Sequence, residues 1–212
     1  MRKEKIKNRE LQRLLAMKSG KMDFEEVTEE DFDKIHDIAL SAYLMNGKES
    51  NIDLNVLTFF PYLKRVKISG FEVSNKIIEL FHKMEELTSI GIVKCKFKDV
   101  DFSKLNGKIE RIKFINCESL PFDYPEVEDV EIVGSTVDFK RINFENVQSV
   151  FIQNSIVQNA FDLNKYGHIK KVNLDGTVLY DEDNQELQDI NVGENRSYTH
   201  QKKLYYHDEY RY

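Results

Sequence analysis

Apolar side chains recur along the chain in a fixed figure. Six segments carry it: LKRVKISGFEV from Leu63, LTSIGIVKCKF from Leu87, IERIKFINCES from Ile109, VEDVEIVGSTV from Val127, VQSVFIQNSIV from Val147 and IKKVNLDGTVL from Ile169. Counted from one within each segment, positions 1, 4 and 6 are apolar in all six. Position 4 reads Val66, Ile90, Ile112, Val130, Val150 and Val172. Position 6 reads Ile68, Ile92, Phe114, Ile132, Ile152 and Leu174. Side chains two apart on an extended chain share one face. The figure therefore predicts six short strands that bury positions 4 and 6 and turn positions 3, 5 and 7 outward. One such unit buries almost nothing alone, so neighbours must stack to make a core.

The stretches between strands are uneven. Ser74 is a candidate N-cap, and Ile77, Phe81 and Met84 follow at helical spacing, so one helix is expected over 74–86. Later connections are shorter and rich in Asp, Asn and Pro. They predict 3₁₀ turns or extended backbone. Phe102, Phe122, Phe139, Phe144 and Phe161 are expected to fill the back of the core. Upstream, Thr28 is a candidate N-cap and Gly47 a candidate stop. Phe32, Ile35, Ile38, Ala39, Ala42 and Tyr43 lie between them on one helical face, so a helix is expected over 28–47.

Position 9 holds Phe71, Cys95, Cys117, Ser135, Ser155 and Thr177. An LxxLxLxx figure followed by a small polar or thiol residue resembles the leucine-rich repeat family, over residues 63–180, and Phe71 departs from its pattern. The likeness implies an α/β solenoid of about six repeats with a parallel sheet on its concave face. A helix followed by repeats is also the order of the amino-terminal caps in some small bacterial members. On that reading the chain divides into a charged N-terminal helix or extension (1–20), a helical cap (21–62), the repeats (63–180) and an acidic loop with a Tyr-rich cap or tail (181–212). Tyr198, Tyr205, Tyr206, Tyr210 and Tyr212 fall in that tail. A cap over the last repeat, an exposed binding segment and a disordered end all remain open for it.

Composition narrows the function. The 212 residues carry 31 Lys plus Arg against 37 Asp plus Glu, a net charge of −6, which disfavours nucleic acid as the partner. No apolar run is long enough for a membrane span. Two cysteines make no disulfide framework, so a cytoplasmic protein is the default.

The outward positions hold the candidate contact residues. Val93, Ile115 and Val133 should form an apolar stripe with Phe151 beside it. Arg65, Lys67, Arg111 and Lys113 flank it on one side, Asp129 and Glu131 on the other. An apolar centre with a charged rim is the anatomy of a protein-binding patch. Sheet propensity alone also favours β-branched residues there, and the Arg111–Asp129 and Lys113–Glu131 pairs satisfy each other.

Reaction chemistry finds no foothold. Cys95 and Cys117 occupy one column without a CxxC, and His36, His82, His168, His200 and His207 are scattered. Phosphate-loop, dinucleotide and nucleophile-elbow motifs are missing. The expectation is a non-enzymatic module, without cofactor or metal, that binds a protein or peptide on the concave face. An adaptor or inhibitor acting through the Tyr-rich tail and an enzyme with an unrecognised surface site are the alternatives.

Overall fold

The computed structural model describes residues 2–44, 47–105, 109–118, 120, 127–142, 144–145, 147–194 and 196–201. In chain order the strands are β1 (Asp37–Ser41), β2 (Arg65–Ser69), β3 (Glu72–Ser74), β4 (Ser89–Val93), β5 (Lys96–Lys98), β6 (Arg111–Ile115), β7 (Asp129–Val133), β8 (Thr136–Asp138), β9 (Ser149–Gln153), β10 (Ile156–Gln158), β11 (Lys171–Asn173), β12 (Val178–Tyr180), β13 (Glu186–Leu187) and β14 (Ser197–Thr199). The α-helices among the described residues are α1 (Arg2–Lys5), α2 (Arg9–Lys18), α3 (Glu29–Asp33) and α4 (Asn75–His82).

Eight strands make one parallel sheet in the order β1-β2-β4-β6-β7-β9-β11-β14. Its register follows the apolar figure. Ile38, Val66, Ile90, Ile112, Val130, Val150 and Val172 are successive partners across the sheet, and all are buried. Leu40, Ile68, Ile92, Phe114, Ile132 and Ile152 form a second buried row. One sheet face is thus removed from water along its length, which is the dominant stabilising contribution.

Strands β2, β4, β6, β7, β9 and β11 each lead into a tight turn at position 8. Gly70, Lys94, Asn116, Gly134, Asn154 and Gly176 all have positive φ there, between 49° and 75°. The amide of each donates to the position-7 carbonyl one strand on, as in Asn116 to Val133 at 2.8 Å and Gly134 to Gln153 at 3.0 Å. Asn tolerates this backbone and Gly adopts it freely. At Gly134 a Cβ would fall 2.2 Å from Asn116 Oδ1, so that amide would have to move aside. Position 9 then turns inward. The Cys117 amide donates to Ser135 Oγ at 3.1 Å and the Ser135 amide to Ser155 Oγ at 3.2 Å, so these small side chains satisfy buried backbone where the chain bends.

The bend leads into the second wall. The short strands β8, β10 and β12 pair in parallel, with β13 antiparallel on β12, and β3 pairs β5. Val73, Val137, Val157 and Leu179 face the core. The helix expected over 74–86 is observed at 75–82, burying Ile78 and Phe81. Later connections are 3₁₀ turns at Phe102–Lys104 and Phe139–Arg141, opened by Asp101 and Asp138, whose carboxylates accept amides two residues on. Phe102 meets Phe114 and Phe97 edge-on, and Phe139, Phe144 and Phe161 form a second such cluster. Phe122 lies outside the described residues.

The leucine-rich repeat solenoid is corrected. The structure is an α/β fold organised by one eight-stranded parallel sheet with few helices, not a six-repeat solenoid behind a helical cap. Alternating apolar positions specify a strand buried on one face and open on the other. They do not specify the architecture built from it. The expected helix over 28–47 is also corrected. Its start holds, with Thr28 and Asp31 forming a capping box, but it ends at Asp33, and 37–41 is the edge strand β1.

The extension packs on this end of the sheet. Ile6, Leu11, Leu15 and Ala16 are buried, and the Arg2 guanidinium donates to Asp33 at 2.6 Å, Glu29 at 3.1 Å and the Phe59 carbonyl at 3.1 Å. At the other end the Tyr-rich segment contributes β14, which extends the sheet beyond β11. Tyr198 donates to Asp189, and the His200 ring lies between Asp189 and the Thr177 carbonyl. Tyr205, Tyr206, His207, Tyr210 and Tyr212 lie outside the described residues.

Candidate protein-binding face

The sheet face opposite the core carries positions 3, 5 and 7 in three rows. Position 3 runs Asp37, Arg65, Ser89, Arg111, Asp129, Ser149, Lys171 and Ser197. Position 5 runs Ala39, Lys67, Gly91, Lys113, Glu131, Phe151, Asn173 and Thr199. Position 7 runs Ser41, Ser69, Val93, Ile115, Val133 and Gln153. Parallel in-register pairing sets neighbours in a row about 4.8 Å apart. The ten residues singled out in the sequence, Arg65, Lys67, Val93, Arg111, Lys113, Ile115, Asp129, Glu131, Val133 and Phe151, all fall on these rows.

Val93, Ile115 and Val133 are consecutive and half-buried on β4, β6 and β7, and Phe151 is half-buried on β9. Next to them lies a hollow of about 300 Å³ whose walls include Arg111, Glu131, Phe151, Gln153 and Lys171, with Ser149 in its lining.

Most charges on the face are already paired. Arg111 meets Asp129 at 2.7 Å, and its guanidinium is held further towards the charged form by that bond. Lys113 is hydrogen-bonded to Glu131. Arg65 lies 3.7 Å from Asp37, and Lys18 of α2 binds the same carboxylate, holding it below the usual range chiefly through that hydrogen bond. Such exposed pairs contribute about 0–1 kcal/mol each, so they orient side chains more than they stabilise the fold. Lys67 and Lys171 have no ion-pair partner among the described residues.

Sequence reasoning missed the two end strands of this face, including Asp37 and the docking of Lys18 on it. The signal for β1 was present. Ile35, Ile38 and Leu40 occupy positions 1, 4 and 6 of the same figure.

The cysteines line the bend rather than the face. The Cys95 thiol donates to the Val93 carbonyl at 3.3 Å and the Cys117 thiol to the Ile92 carbonyl at 3.4 Å. Burial pushes the Cys95 thiol up to about 11 and raises Cys117 as well, so both stay protonated and unreactive. Among the described residues no group of three or more His, Cys, Asp or Glu is placed to hold a metal ion. Among the described residues the order of the main sheet runs in one direction from β1 to β14. No helix among the described residues is long and apolar enough to cross a membrane. No protein-family model matches the chain, and a search of curated proteins finds no relative.

Proposed function

We propose that the chain is a non-enzymatic binding module that holds a protein or peptide on the open face of its eight-stranded sheet. The observation that carries this is the row Val93, Ile115 and Val133, apolar and half-exposed in register, with Phe151 and a hollow beside it and ion pairs around it. A central apolar patch with a polar rim is how binding surfaces are built. The face stands on a sheet whose other side is packed, so little ordering is required when a partner lands. The module supplies shape and charge and no reaction chemistry. Two free thiols support the cytoplasm as its compartment.

The test is Ile115→Asp. The side chain points away from the core, so the variant keeps its far-ultraviolet circular dichroism. A partner recovered with the wild-type chain by affinity purification should be lost from it. Equal recovery by both proteins removes the open face from consideration.

A further inference from the structure

The smallest outward side chains on the central strands are adjacent. Ser89 and Gly91 stand on β4, and their register partners are Arg65 and Lys67 on β2 and Arg111 and Lys113 on β6. Four cations therefore enclose a notch about two residues long, with the flanking strands about 4.8 Å to either side. Beside it, a hollow of about 250 Å³ is lined by Ser89, by the cations Lys64, Arg65 and Arg111 and by the acids Glu110, Glu128 and Asp129.

The counter-ions of these cations stand on the strands beyond them, and Asp129 also reaches the hollow beside Ser89. Asp37 holds Arg65 from β1, Asp129 and Glu131 hold Arg111 and Lys113 from β7, and Lys67 has no ion-pair partner among the described residues. Along the position-3 row the charges thus read negative, positive, neutral, positive, negative from Asp37 to Asp129. A single carboxylate over β4 meets cations on both sides. A continuous polyanion laid across the strands would run onto Asp37 at one end and Asp129 and Glu131 at the other. That pattern, with the chain's net charge of −6, favours an isolated acidic side chain over a nucleic-acid backbone.

The notch and the apolar stripe share strands. Val93 lies two residues beyond Gly91 on β4, and Ile115 two beyond Lys113 on β6. Their separation along the strands is about 7–13 Å, the reach of two to four residues of extended peptide.

We infer that this face takes an acidic, extended peptide segment of a protein partner. An Asp or Glu side chain enters the notch over Gly91 between Lys67 and Lys113, and a branched or aromatic side chain two to four residues away lies on Val93, Ile115 and Val133. This rests on the binding role proposed above and names the chemistry of its partner.

Random peptides of about twelve residues, displayed on phage and selected on the full-length chain, provide the probe. The enriched peptides should place Asp or Glu two to four positions from Leu, Ile, Val or Phe. A synthetic copy should bind about tenfold or more weakly to Lys67→Glu, and likewise to Gly91→Glu. At Gly91 a Cβ meets Lys67 Cγ at 3.4 Å, an ordinary contact, so that variant folds and places a carboxylate in the notch itself. If binding needs Ile115 but the peptides carry no acid and Lys67→Glu changes nothing, the acidic-peptide inference falls while the binding role stands. If no peptide is enriched, or Ile115→Asp binds them as well as the wild type, both fall. Displacement of the peptide by a single-stranded oligonucleotide at low concentration would replace the proposed occupant with nucleic acid and overturn the inference.

Discussion

Two isoleucines three residues apart on one strand make opposite demands on the fold. Ile112 is fully buried, in register between Ile90 and Val130. Ile112→Ala removes a branched side chain from close-packed surroundings and leaves a cavity, at a cost of about 2–5 kcal/mol. Ile115 on the same β6 points to the open face and is half-buried. Ile115→Ala there should cost about 1 kcal/mol or less. With a urea slope of about 2–3 kcal/mol per molar for a chain of this size, the first variant lowers the unfolding midpoint by about 1–2 M. The second lowers it by less than about 0.5 M. Urea titrations followed by far-ultraviolet circular dichroism measure both. Equal shifts, or a larger one for Ile115, would mean that the two faces of the sheet have been assigned the wrong way round.

The acid limb of stability should depend on the capping box of α3. The Thr28 amide and hydroxyl donate to the Asp31 carboxylate at 2.8 and 2.9 Å, and the amide bond is the main cause holding its pKa below the ordinary value. A carboxylate depressed by folding stabilises above its unfolded pKa, and that contribution is lost as pH falls through the folded one. Asp31→Asn should therefore be less stable than the wild type at neutral pH, with the gap closing below about pH 4, and a pH-independent gap would contradict this. The two thiols should resist Ellman's reagent in the native protein and react fully in denaturant, because burial keeps them protonated. Fast native labelling of either would contradict the account of the bend.

The main strands were legible because two signals coincide at most of them. Ile112 and Phe114, or Val130 and Ile132, alternate along the strand, and position 9 supplies a small residue for the bend at every repeat but the first, where Phe71 stands. The cross-strand pairs Arg111–Asp129 and Lys113–Glu131 followed directly, since a period of two fixes who faces whom once register is known. β1 was misread because Phe32, Ile35, Ile38, Ala39 and Ala42 also satisfy a helical spacing, and a short apolar run cannot choose between the two periods. Pairing of Ile38 with Val66 and of Leu40 with Ile68 decides for the strand. That misreading also hid the partner of Arg65, which is Asp37 on β1. β14 carries only Tyr198 as a core-facing aromatic, and its strand state is set by the exposed edge of β11. The class of fold was the least legible property. Apolar alternation reports what one face of a strand touches, and the way eight strands are joined is decided by the connections between them.

The central claim is that a partner occupies the open face through its apolar row. Methyl-labelled protein examined by nuclear magnetic resonance, titrated with a peptide selected on the full-length chain, tests it most directly. Shifts confined to Val93, Ile115 and Val133, with Val66, Ile90, Ile112 and Val130 on the buried side unmoved, are the predicted result. Shifts that leave those three methyl groups in place and gather around the exposed Met17 and Met22 instead would contradict it.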